Sequence, residues 1–186
     1  NGNTPRSIGT NYVISRNFDF IMYLDADNWF LNNHINSLLN LTKEEVSIAC
    51  SYRSFYTVDE KKMSYLEDDD CLNKKFVDTS CYLIPRDFFK LINIWHLIPK
   101  ETSQWCDRIF FYNILKNECP IKFSGMHTVA FRTLYEVHYL HSKLDIPNNV
   151  KKNEEINKKA VNFFLDLKNK ESFVKTFGFW WTAGKK

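Results

Sequence analysis

The 186-residue sequence has no apolar run long enough to cross a bilayer and no signal-peptide pattern, so it reads as a soluble chain of the cytoplasm. It lacks any Cys-x-x-Cys pair. Its five cysteines, Cys50, Cys71, Cys81, Cys106 and Cys119, are odd in number and lie mostly in apolar segments, which argues for reduced structural thiols rather than a disulfide framework. A strong excess of one charge is also missing: the formal charge of +3 is too small to point to nucleic acid. His138 and His141 stand three apart, but no Glu-containing zinc motif surrounds them, so zinc is not expected.

What is present is an ordinary balance for a globular domain, 44% hydrophobic and 25% charged, with aromatics high enough at 16% to serve apolar or stacking sites as well as a core. The length fits one domain over residues 1–186, large enough to bury roughly 70% of the surface its unfolded chain exposes.

The chain is organised around residues 18–35, FDFIMYLDADNWFLNNHI. Phe20 to Leu24 form a short apolar run suited to a strand covered on both faces. Asp25 and Asp27 leave its end, and residues two apart in extended chain point to one side. Asn28 turns the chain, and Leu31, Ile35, Leu38 and Leu39 recur at helical spacing. Two carboxylates at a strand end make a hard-oxygen site for Mg²⁺ or Mn²⁺ with substrate phosphates. Asp25, Ala26, Asp27 and Asn28 also suit a plain polar turn that closes a strand.

Upstream, Pro5 behind Thr4 suits the start of a helix running through Ser15, with no strand ahead of it. Arg6 near that helix start reads as a phosphate ligand or a solvated surface residue. Downstream, residues 46–56 read as a strand entering a hairpin through 59–62, and the acids Glu67, Asp68, Asp69 and Asp70 as a solvated loop, since consecutive acids repel. Residues 76–84 predict a strand stopped by Pro85, then a helix through Ile92. Asp78 inside that strand faces a cleft or caps a loop. Ser103 is the expected N-cap of a helix over 105–115, and Asp107 falls in its first turn, where the helix dipole alone favours an acid. Trp105 is core or a sugar platform. Residues 121–134 predict a strand interrupted by Gly125. Residues 148–170 predict an amphipathic helix through Ile156, Ala160, Phe163, Phe164 and Leu167. The aromatic tail 173–186 looks exposed and in want of something to pack against, which also admits peripheral membrane association.

This order of features resembles the family 2 glycosyltransferases of GT-A fold. YLDADNW at 23–29 is similar to the Asp-x-Asp motif that ends a strand in that family, and QWCDRIFF at 104–111 to its later acidic element at a helix start. TPRSIGTNYVIS, FVDTSCYLIPRDFF and TVAFRTLYEVHY also resemble stretches of bacterial members. The likeness covers residues 4–147, with 148–186 as an added helix and tail. It implies an α/β fold, a Rossmann-like mixed sheet flanked by helices. It further implies that the N-terminal βαβ unit holding the nucleotide base would have to precede Asn1.

The resemblance implies that Asp25 and Asp27 bind a divalent cation, Mn²⁺ or Mg²⁺, and the diphosphate of a nucleotide-sugar donor, a UDP-sugar first among them. Arg6 would join the diphosphate site and His138 the metal or diphosphate site. Asp107 would be the catalytic base that deprotonates a glycan or lipid-linked acceptor, as in polysaccharide assembly. Two other functions fit the same residues: a sugar- or nucleotide-binding remnant of the fold, and a phosphohydrolase using Asp25, Asp27 and Asp107 with water as nucleophile.

Overall fold

A computed structural model describes residues 2–64, 66–73 and 75–181, with the side chains of 69 and 153–156 outside that description. The acid at Asp69, Ile156 of the amphipathic pattern and the tail beyond 181 therefore lie outside the described side chains. In chain order the elements are α1 (Asn3–Ile14), β1 (Phe20–Met22), β2 (Asn28–Phe30), α2 (His34–Leu41), β3 (Ile48–Tyr56), α3 (Asp69–Leu72), β4 (Tyr82–Pro85), α4 (Phe89–Ile92), α5 (Cys106–Lys116), β5 (Ile121–Arg132), α6 (Glu136–His141), α7 (Asn153–Leu165) and α8 (Lys170–Phe177). The fold is α/β, as expected, with one five-stranded mixed sheet of order β1-β4-β3-β5-β2.

Only β3 and β5 pair in parallel; the remaining neighbours are antiparallel. β1 is thus an edge strand, shorter than the sequence predicts, and Phe20 and Leu24 are exposed rather than covered on both faces. Alternation along the strands feeds two apolar layers. Ala49 and Leu83 turn to one face, where Leu38 of α2 covers them, while Ile48, Cys50, Tyr82 and Ile84 turn to the other. Phe110 of α5 fills that second layer, stacked on Trp95 and edge-on to Tyr23 and Tyr82. All five cysteines are free, and four of them are buried.

β5 carries two irregularities of register opposite β3, between Cys50 and Tyr52 and between Tyr52 and Arg53. Gly125 lies in the inserted stretch with φ of 69°, which a side chain would resist. The hairpin after β3 is a small one, closed by a Tyr56–Lys62 bridge.

Several expectations are corrected by tertiary contacts. The strand over 76–84 begins only at Tyr82, because Asp78 caps a 3₁₀ turn at Thr79–Cys81 by accepting from the Ser80 amide at 2.9 Å. Ser103 is not the N-cap of α5; a 3₁₀ segment, Lys100–Trp105, runs into the helix and Trp105 takes that position. The acidic loop is not uniformly solvated, since Asp68 is fully buried. The amphipathic helix stops at Leu165, leaving Leu167 72% exposed. The described tail finds its packing within its own chain. Phe173 and Phe177 are buried, and Trp180 and Trp181 lie against Phe164. Trp105 stacks on Phe164 and donates to Asn157 at 2.7 Å, which makes it part of this aromatic layer.

Candidate active site

The acidic turn is built by strand register. Phe20, Ile21 and Met22 lie opposite Pro85, Ile84 and Leu83, and the same register carried three residues beyond Met22 sets Asp25 opposite Ser80. The buried Ser80 hydroxyl accepts from the Asp25 amide at 3.3 Å and from Asn28 Nδ2 at 3.1 Å. Asn28 N donates back to the Asp25 carbonyl at 3.0 Å, so Asp25 to Asn28 is a β-turn and not the extended strand end that the spacing suggests. Asn28 then pairs with Phe131 as the first residue of β2. Both ends of the turn are clamped to the sheet, and both carboxylates line one cleft.

Arg6 reaches this turn because α1 is tied beneath it. The Thr10 hydroxyl lies 2.7 Å from Tyr23 Oη, which also accepts from the Trp95 indole at 3.0 Å. One turn earlier, the Arg6 guanidinium forms an ion pair with Asp25, donates to Cys106 Sγ at 3.5 Å and lies 5.1 Å over the Trp95 ring. Asp27, by contrast, has no hydrogen bond or ion pair among the described residues.

Asp107 arrives on α5. It lies three residues before Phe110 and so shares the helix face that Phe110 buries. Its Oδ1 accepts from the Arg108 amide at 2.8 Å. Burial pushes the Asp107 carboxyl up from its ordinary range, partly offset by Arg108. Asp78 is similarly raised by burial, to about 6, against the pull of Arg53 at 3.6 Å.

Arg53 is the residue that sequence reasoning missed. From the centre of β3 it forms an ion pair with Asp68, which also accepts from the Arg53 amide at 3.0 Å, and its guanidinium lies about the rings of Phe55, Phe76 and Phe131. An arginine inside the alternating run 46–56 was the available signal, for it needs an acid partner once buried. Which acid was not readable.

The cleft has a volume of about 780 Å³ and gathers Arg6, Asp25, Asp27, Asp78, Asp107 and His138, every predicted site residue, from five separate segments. His138 comes from α6, where Thr133 Oγ1 lies 2.6 Å from Nδ1 and Phe55, Phe131 and Tyr135 surround the ring. Burial lowers its pKa to about 3, with Arg53 adding to the effect, so the ring is neutral.

Two hard carboxylates at one turn fit Mg²⁺ or Mn²⁺, which take one or two carboxylates and fill their remaining positions with phosphate and water. Among the described residues no group of three or more His, Cys, Asp or Glu that could hold a metal ion is found. No family model matches the chain, and no curated protein matches it either.

Proposed function

We propose that this chain is an inverting, divalent-cation-dependent glycosyltransferase of GT-A type, moving a sugar from a nucleotide-diphosphate donor, a UDP-sugar first, to a hydroxyl of a glycan or lipid-linked acceptor. The observation that carries this reading is the meeting of the Asp25–Asp27 turn with a half-buried Asp107 of raised basicity in one cleft of ligand size.

Asp25 and Asp27 are the residues to hold the cation, which when bound supplies positive charge against the leaving diphosphate. Arg6 adds a planar cation of the kind that binds phosphate oxygens in pairs. Asp107 Oδ1 is engaged by the Arg108 amide, leaving Oδ2 to accept the proton of the acceptor hydroxyl as its oxygen attacks the anomeric carbon. Its raised pKa makes it a stronger base than a solvated aspartate.

A second reading, a non-catalytic nucleotide- or sugar-binding module, draws on the Arg6 ion pair, which already neutralises one of the two carboxylates. Calorimetric titration of UDP with and without Mn²⁺, followed by a donor screen, separates the readings. The transferase reading expects Mn²⁺-dependent binding, sugar transfer only with an acceptor, and loss of turnover by about 10²–10⁴ in Asp107→Asn with UDP binding kept. Binding without turnover favours the module, hydrolysis of the donor without acceptor favours a phosphohydrolase, and no binding of any nucleotide sinks the proposal.

A further inference from the structure

The acidic turn is unevenly compensated. Asp25, 33% exposed, is held by Arg6, while Asp27 stands without an ion-pair partner among the described residues. Arg6 itself is only 13% exposed, and its surroundings form a cradle. The Trp95 ring lies on one side, Cys106 Sγ on another, and Gly2 closes the third. A Cβ added at Gly2 would come within 2.9 Å of Arg6 Nη1 and 3.0 Å of Cζ, so the guanidinium fits where it does because residue 2 has no side chain.

A guanidinium seated on one of two carboxylates does two things. It removes half of the negative charge that would attract a divalent cation, and it spends on Asp25 the hydrogen bonds that a diphosphate would otherwise receive. We infer that Arg6 is a built-in counter-ion that makes cation and diphosphate bind as a pair. Without a diphosphate it shields Asp25. When diphosphate oxygens offer the guanidinium a stronger anionic partner, Arg6 turns to them and Asp25 is released to the cation. Each ligand then strengthens the other by the same factor, as linkage requires. The inference rests on the diphosphate reading of the cleft and adds to it a specific form of regulation, the exclusion of cation binding without substrate.

The test is Mn²⁺ titration followed by electron paramagnetic resonance of the free ion, with and without UDP and corrected for the Mn²⁺–UDP complex in solution. In the natural sequence, Mn²⁺ alone binds weakly and UDP tightens it by on the order of tenfold or more. In Arg6→Gln, Mn²⁺ alone binds about tenfold more tightly, as removal of one nearby unit charge from a partly exposed carboxylate requires, and the coupling to UDP falls by about the same factor. Gly2→Ala, which only displaces the flexible end of Arg6, moves both quantities in the same direction by a smaller factor and serves if Arg6→Gln does not fold. Unchanged Mn²⁺ affinity in a folded variant overturns the inference. If UDP fails to bind the natural sequence, the transferase reading falls, while the Mn²⁺-alone comparison still decides whether Arg6 shields Asp25.

Discussion

The Arg53 cluster and the acidic turn share one cleft, and each sets one arginine against two aspartates, but they bury and pair those charges differently. Around Arg53 there are two acids, Asp68 and Asp78, one of them held by ion pair and amide together, and three aromatic rings complete the surroundings. The arginine is paired and almost wholly buried. At the turn, Asp25 has Arg6 and Asp27 has nothing among the described residues, and both face open space. A buried ion pair is costly to disturb but has no charge left for a ligand, whereas an excess carboxylate at a cleft wall is cheap for the fold and available to a cation.

The largest expected effect breaks the buried cluster. Asp68→Ala leaves Arg53 buried without its main partner and costs about 3–5 kcal/mol, read as a fall in the urea midpoint at unchanged slope. Retention of full stability would show that the cluster is not closed to solvent. Asp27→Ala has the reverse profile. Its folding stability stays within about 0.5 kcal/mol, and Mn²⁺-dependent UDP binding weakens on the order of 100-fold, about 2.7 kcal/mol. A variant that unfolds would place Asp27 in the structural class instead.

Titration sharpens the comparison further. His34 and His138 are pushed by burial to about 4 and about 3, below the ordinary 6.5. The unfolded chain takes up protons on both near pH 6.5 while the folded chain does not. The stability they secure is therefore full above pH 6.5 and lost as pH falls toward 4 and 3. Asp78 acts oppositely: its folded value of about 6 lies above the ordinary 3.8, so its contribution is present at low pH and lost as pH rises through 6. Asp107, also raised by burial, acts in the same sense as Asp78. The two histidines, however, are shifted over the whole interval, which predicts a net decline in the urea midpoint between pH 6.5 and 4, and His138→Phe flattens it. A midpoint that rises on acidification would reverse the assignment.

The smallest effect comes from the same acidic run as the largest. Asp70 is half-exposed, with Lys75 at 3.7 Å and Arg108 at 4.0 Å. Asp70→Asn changes stability by less than about 0.5 kcal/mol, as solvent-screened pairs do. Two aspartates two residues apart then differ several-fold in worth, one buried on Arg53 and the other screened by solvent.

Much of the candidate site was legible because its signals are local. An apolar run breaking into Asp-Ala-Asp-Asn announces a turn at a strand end, and an acid in the first turn of a periodic segment announces Asp107. The details that failed depend on contacts across the chain. The tail looked exposed because the residues it packs on, Trp105 and Phe164 among them, lie earlier along the sequence. Asp68 looked solvated because the loop's own charge density gives no hint of an arginine fifteen residues upstream.

The sequence by itself determined the α/β class, the reduced cysteines, the acidic turn and the helical setting of Asp107, since propensity, period and turn chemistry act over a few residues. Tertiary structure alone decided that β1 lies at the sheet edge, that Ser80 clamps the turn, that Arg6 takes Asp25 and that Arg53 takes Asp68. Those pairings follow from strand register and packing, which join residues far apart in sequence and are selected by the burial of the whole layer.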